Sequence, residues 1–218
     1  MSGILLFLGQ RGGTEGATQV SLTDSQISIG GFATSHTAPG VSLGAEAPDR
    51  IIAFLADIPL GSNFVSATVN GNSANLIVTT SNRHLIYAGV PSGTTGDIVV
   101  TTSDSGSRLV IPAVYRIVAQ ELDAPYDFYT GSNNDSNASL TGTIDVPADG
   151  IIVAFSRTDD PAITMSWNSA VTENVDWDQG SSSYSAGSKT YATLQTGLSV
   201  TITPSALQDK QLFMASWG

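Results

Sequence analysis

The chain has 218 residues with 19 acidic and 8 basic side chains, a formal charge of −11, and only 12% charged residues where roughly 25% is usual. It contains no cysteine, which excludes disulfides, thiolate metal sites and cysteine nucleophiles together. The acidic balance without any basic stretch argues against nucleic acid or anionic membrane as the main partner, while 41% apolar residues suffice for a folded core with a hydroxyl-rich skin.

In chain order, the first apolar run is Ile4, Leu5, Leu6, Phe7 and Leu8. It has no basic residue before it and is far too short for a signal h-region or a membrane span, so no export signal is expected. Short strand-like stretches follow at 19–22 and 26–29. Then come β-branched bursts: Ile51-Ile52-Ala53-Phe54-Leu55, Ile98-Val99-Val100, Leu109-Val110-Ile111, Ile151-Ile152-Val153-Ala154-Phe155 and Leu198-Ser199-Val200-Thr201-Ile202. Between them lie Asn70-Gly71-Asn72, Ser92-Gly93-Thr94-Thr95-Gly96, Asp104-Ser105-Gly106-Ser107 and Gly131-Ser132-Asn133-Asn134-Asp135, which carry turn chemistry. No window of a dozen residues holds a 3.6-residue apolar stripe; 205–210 suits one short helical turn and 113–121 is ambiguous. The expectation is an all-β chain.

An internal repeat organises the rest. Pro48-Asp49-Arg50-Ile51-Ile52 matches Pro147-Ala148-Asp149-Gly150-Ile151-Ile152, and three later segments recur in the same order, ending at Tyr115 and Trp217. The expected division is an N-terminal arm or strands at 1–47, a first repeat at 48–122, a connector at 123–146 and a second repeat at 147–218. Two small sandwiches and one compact sandwich both fit. The single one is favoured because Tyr126, Phe128 and Tyr129 in the connector want burial. The fold expected is therefore an antiparallel β-sandwich of jelly-roll type built from two related halves.

The sequence offers little chemistry. His36 and His84 are the only histidines, and neither sits in a nucleophile or metal motif. His84 alternates with apolar positions and is expected to face solvent or a neighbour; His36 reads as a surface loop residue. Asp176-Trp177-Asp178 puts two carboxylates on one face of a strand, but the indole between them points the other way, against a glycosidase arrangement with acids about 5 to 10 Å apart. Asp123, Asp127 and the Asn133–Asn137 stretch offer oxygen ligands without a calcium-loop spacing, and turn chemistry explains them. No catalytic, metal or cofactor site is expected. Trp177 and Tyr184, amid Ser and Asn, are candidate glycan contacts, the alternative being sheet packing.

Val90-Pro91-Ser92-Gly93-Thr94-Thr95-Gly96-Asp97-Ile98-Val99-Val100-Thr101, followed by Ser103 and Arg108, resembles small β-rich proteins encoded among tailed-phage and prophage structural genes. Val146-Pro147-Ala148-Asp149-Gly150-Ile151-Ile152-Val153-Ala154 is similar to the second-half opening of such proteins. The resemblance spans roughly residues 48–218 and transfers no catalytic residue. It implies a non-enzymatic virion component made in the host cytoplasm: an exterior capsid decoration or cement subunit, or a tail-accessory piece. A tail-fibre-like adhesin binding host surface glycans is the alternative. Partners would be other virion proteins and identical copies of itself. The apolar stretch Ile4, Leu5, Leu6, Phe7 and Leu8 lies outside the repeat and must be buried somewhere, either as an assembly contact on a neighbour or as an outer strand of its own sandwich.

Overall fold

The computed structural model describes residues 16–58, 63–80, 82–121, 123–133, 139–206 and 208–218. Among them none is helical, and every strand pairing is antiparallel. The first half holds β1 (Gln19–Ser42), β2 (Ile51–Asp57), β3 (Phe64–Val69), β4 (Asn72–Ser73), β5 (Asn75–Thr80), β6 (Arg83–Gly89) and β7 (Thr95–Val118). The second holds β8 (Asp127–Asn133), β9 (Leu140–Val146), β10 (Gly150–Thr158), β11 (Met165–Trp167), β12 (Thr172–Asp178), β13 (Ser183–Tyr191), β14 (Gln195–Pro204) and β15 (Lys210–Trp217).

In the second half the strands form a five-stranded sheet, β12-β13-β10-β15-β8, and a three-stranded sheet, β11-β14-β9. In the first half β1 and β7, each 24 residues long, run antiparallel through both layers. Their outer portions, 19–30 against 108–118, extend the row β5-β6-β2; their other portions, 33–42 against 95–106, pair with β3. The register slips between Gly30, Ala33 and Ser35 let this ribbon change layer, and Gly31 takes a φ of 114° there. Apart from β4, which has no counterpart, the pairing order is the same in both halves, with β7 and β1 doing in one piece what β14 with β15 and β8 with β9 do in two.

Burial explains the uninterrupted apolar bursts. All seven residues of β2 and all nine of β10 are buried, because each of these strands is covered on both faces. Ile52, Phe54 and Ala56 point into a core inside the first half, and Ile152 and Ala154 into a core inside the second. The alternate residues, Ile51, Ala53 and Leu55 with Ile151, Val153 and Phe155, share a third core in which the two five-stranded sheets face each other. The molecule is therefore four layers deep, with the β4-β3 side of the first half's seven-stranded sheet and the three-stranded sheet of the second half outermost.

β1 is paired along its length with β7 and so is built into the first half, and the stretch expected as a connector contains β8 and β9. The stretch 113–121 enters β7, and Ser205 and Ala206 form a bend, not a helical turn. Ile4, Leu5, Leu6, Phe7 and Leu8 lie outside the described residues.

Candidate functional site

The most concentrated polar chemistry lies at one end of the seam between the halves. β2 ends on Asp57 and β10 carries Arg157, 100 positions later, and the two side chains meet across the seam. Asp57 is fully buried, and its Oδ2 accepts from Arg157 Nε at 2.6 Å and from the Tyr184 hydroxyl at 2.7 Å, with Arg83 Nε at 3.5 Å. Asp159, more than half exposed, takes the Arg157 Nη1 donor and lies 3.5 Å from Arg83 Nη2, while Arg157 Nη2 donates to Ser182 Oγ at 2.8 Å. The Arg157 guanidinium stands 5.8 Å from the Tyr184 ring centre, and Trp177 tilts against that ring from 5.8 Å.

Burying charges is costly, and the geometry meets that cost with charge-assisted bonds on nearly every donor. Burial followed by the nearby Asp57 charge pushes the Tyr184 phenol above its usual range, so it remains a protonated donor. Burial alone would lower Arg157, but Asp57 and Tyr184 outweigh it and hold the guanidinium charged. Asp57 Oδ1 is buried without a partner. The arrangement clamps the two halves together.

Several expected residues sit elsewhere than anticipated. Tyr184 is completely buried. Trp177 is half-buried against the seam core, on the same side of β12 as Val175 two residues before it. The intervening Asp176 and the following Asp178 are exposed. Burial, followed by Asp176, raises the Glu173 carboxyl, and burial raises Asp176. His84 is fully buried, 2.8 Å from Thr79 Oγ1 and packed on the Phe64 ring at 5.5 Å; β6 is covered on both faces, so alternation did not imply a solvent side. His36 is buried too, on the inward face of β1 that also carries Ala38. Asp127 accepts the backbone N–H groups of Phe128 and Asp145, both at 2.8 Å, the role of a turn carboxylate. Residues 134–138 lie outside the described set, and among the described residues no group of three or more His, Asp or Glu is placed to hold a metal ion.

Sequence reasoning missed Arg50. Only 1% exposed, it donates from Nε to the Val90 carbonyl, from Nη1 to those of Leu43, Gly44 and Ala45, and from Nη2 to those of Ser92 and Gly93, at 2.5 to 3.4 Å. It ties the loop after β1 to the loop after β6. Gly93 (φ 83°) and Gly96 press there against Asn70, so close that a Cβ at either would overlap it. A signal existed: a cation immediately before an all-apolar strand has to be paired internally. Opposite charges at matched repeat positions 57 and 157 were a second. Comparison with protein-family models and with curated proteins finds no match for this chain.

Proposed function

We propose that the protein is a non-enzymatic structural subunit of a tailed-phage virion, an exterior capsid decoration or tail-accessory piece, built from two related halves. The observation that carries the reading is where the resembling residues lie. Ser92, Gly93 and Gly96 form the loop that Arg50 and Asn70 hold, and Ile98 and Val100 enter the first core, so the motif builds a rigid body. Relatedness of the halves is supported by their shared pairing order and by Ile52 and Ile152 occupying matching inner positions of their cores. Phe64 and His84 touch in one half, and Trp167 donates to Ser185 at 2.7 Å across the corresponding strands of the other.

The experiment is biochemical fractionation of particles from the phage or prophage that encodes the chain. The protein should sediment with intact particles at a fixed number of copies, and particles lacking its gene should take up added protein to the same number. Its absence from purified particles would refute the role. Removing residues 2–15 tests the arm: Thr18, just before β1, donates its backbone N–H to Asp149 O at 2.8 Å, so the shortened chain should fold and lose only particle binding. A cut at Gly44 is a poorer test, since it strips β1 from both layers.

A further inference from the structure

The seam between the halves has two lateral sides. On one, β5 ends the first half's sheet and β8 the second's; among the described strands each pairs on one flank only, and the two lie beside one another across the seam. On the other, β12 and β1 take the corresponding places. β5 and β12 match pair by pair: Leu76 and Glu173 each stand just before a slip in register, and Thr79 and Asp176 two pairs further on. Yet β12 exposes Glu173, Asp176 and Asp178, whereas β5 has no charged residue. β8 runs seven residues beside β15 without a slip, and its single charge, Asp127, is taken up by the N–H groups of Phe128 and Asp145. Of the six large apolar side chains exposed among the described residues, Leu76, Tyr126 and Phe128 are on this side. A regular edge strand with so little charge lacks the usual guards against pairing with another chain.

We propose that the β5–β8 side is the contact between two copies of this chain, their β8 strands pairing antiparallel about a two-fold axis with Leu76, Tyr126 and Phe128 packed around the joint. Charge selects the occupant. Each copy carries −11, so two copies approach best where their carboxylates are fewest, and β12 against β12 would set one acidic row against another. A basic partner would be drawn to those carboxylates instead, whereas an apolar edge with little charge suits another of its kind. Symmetry agrees with charge: an antiparallel pair is unchanged by a two-fold axis, so a single edge strand is its own complement. With the axis perpendicular to the sheets, β5 of each copy flanks the joint one layer away, which brings Leu76 to it. The contact gives a surface to the identical copies that the structural reading expects, but it is tested on purified chain without particles, so each can fail alone.

The test is sedimentation velocity of the full chain from about 10 µM to about 1 mM, the range suited to a contact of two strand edges. Monomer should pass to dimer as concentration rises, more readily at high salt, which screens the net charge. Hydrogen exchange should slow over residues 75–80 and 126–133 as the dimer forms. Leu76→Glu gives β5 the residue that β12 carries at the matched position, so this variant should keep its melting temperature and dimerise about tenfold more weakly, the two-fold axis counting the change twice. Phe128→Ser should weaken the dimer similarly, whereas Val65→Ser, at an exposed apolar position of β3, should leave it intact. A chain that stays monomeric throughout, a dimer that survives both Leu76→Glu and Phe128→Ser, or one lost equally in Val65→Ser would overturn the proposal. So would a dimer that forms only once residues 2–15 are removed, which would assign the side to that segment.

Discussion

Arg50 shows how a chain without disulfides fixes its loops. Its guanidinium joins the 43–45 carbonyls to those of 90, 92 and 93, and removal would leave buried acceptors without donors. Arg50→Met should therefore lower unfolding free energy by about 3–5 kcal/mol in urea denaturation. Arg50→Lys should recover little of it, because one ammonium cannot span the fork. A second residue-scale expectation concerns pH. Burial pushes the Tyr115 phenol far above its usual range, and its hydroxyl donates to Asn174 Oδ1 at 3.0 Å. The folded state keeps the proton that the unfolded chain releases above about pH 10. Stability is then intact below about pH 10 and falls above it, by up to about 1.4 kcal/mol per pH unit from this group. Denaturation followed from pH 8 to 12 checks this, with tyrosinate absorbance rising only as the chain unfolds; Tyr115→Phe should flatten the alkaline slope.

At the scale of elements, much was legible and the reasons are specific. β9 alternates Leu140, Ile144 and Val146 inward with Thr141 and Thr143 outward, the pattern of a strand with one wet face. β2 and β10 read as continuous apolar strands, which signals cover on both faces without saying by what. The cover is the partner half's sheet, a long-range fact that no local pattern encodes. Turn chemistry misled in two places: Gly131, Ser132 and Asn133 belong to β8, and Asp104-Ser105-Gly106-Ser107 lies inside β7, where it lets a strand change layer instead of reversing it. The clamp residues were hidden for a related reason, since a buried charge becomes intelligible only when its partner, 100 positions away, is known. Glycine placement in the second half yields a further expectation. Tyr129 of β8 lies over Gly131 and Gly142, and a Cβ on Gly142 would come within 2.3 Å of its ring. Gly142→Ala should cost about 1–3 kcal/mol by overpacking, seen as a lowered midpoint in thermal or urea unfolding. In the Tyr129→Leu background the same substitution should be better tolerated.

For the whole molecule, the distribution of charge is the dominant feature. The seven described basic side chains are all buried or half-buried, and each donates to an internal partner. The outward charge is left to carboxylates such as Glu46, Asp97, Asp104, Glu121, Asp149, Asp178 and Asp209. The folded chain should pass through a heparin column at low salt and be held by immobilised polylysine, released as ionic strength shortens the screening length from about 30 Å at 0.01 M toward 8 Å at 0.15 M. Retention on heparin would contradict the assigned burial of the arginines.

The meeting of Asp57 with Arg157 also decides which halves can associate at all. Because these residues hold the same place in their respective sheets, two first halves laid together would confront aspartate with aspartate, and two second halves arginine with arginine, each pair shut away from water. Like meeting like is therefore penalised, whereas unlike halves neutralise one another. Were halves exchanged between chains, every exchange that closes the seam would still join a first half to a second and so reproduce the native joint.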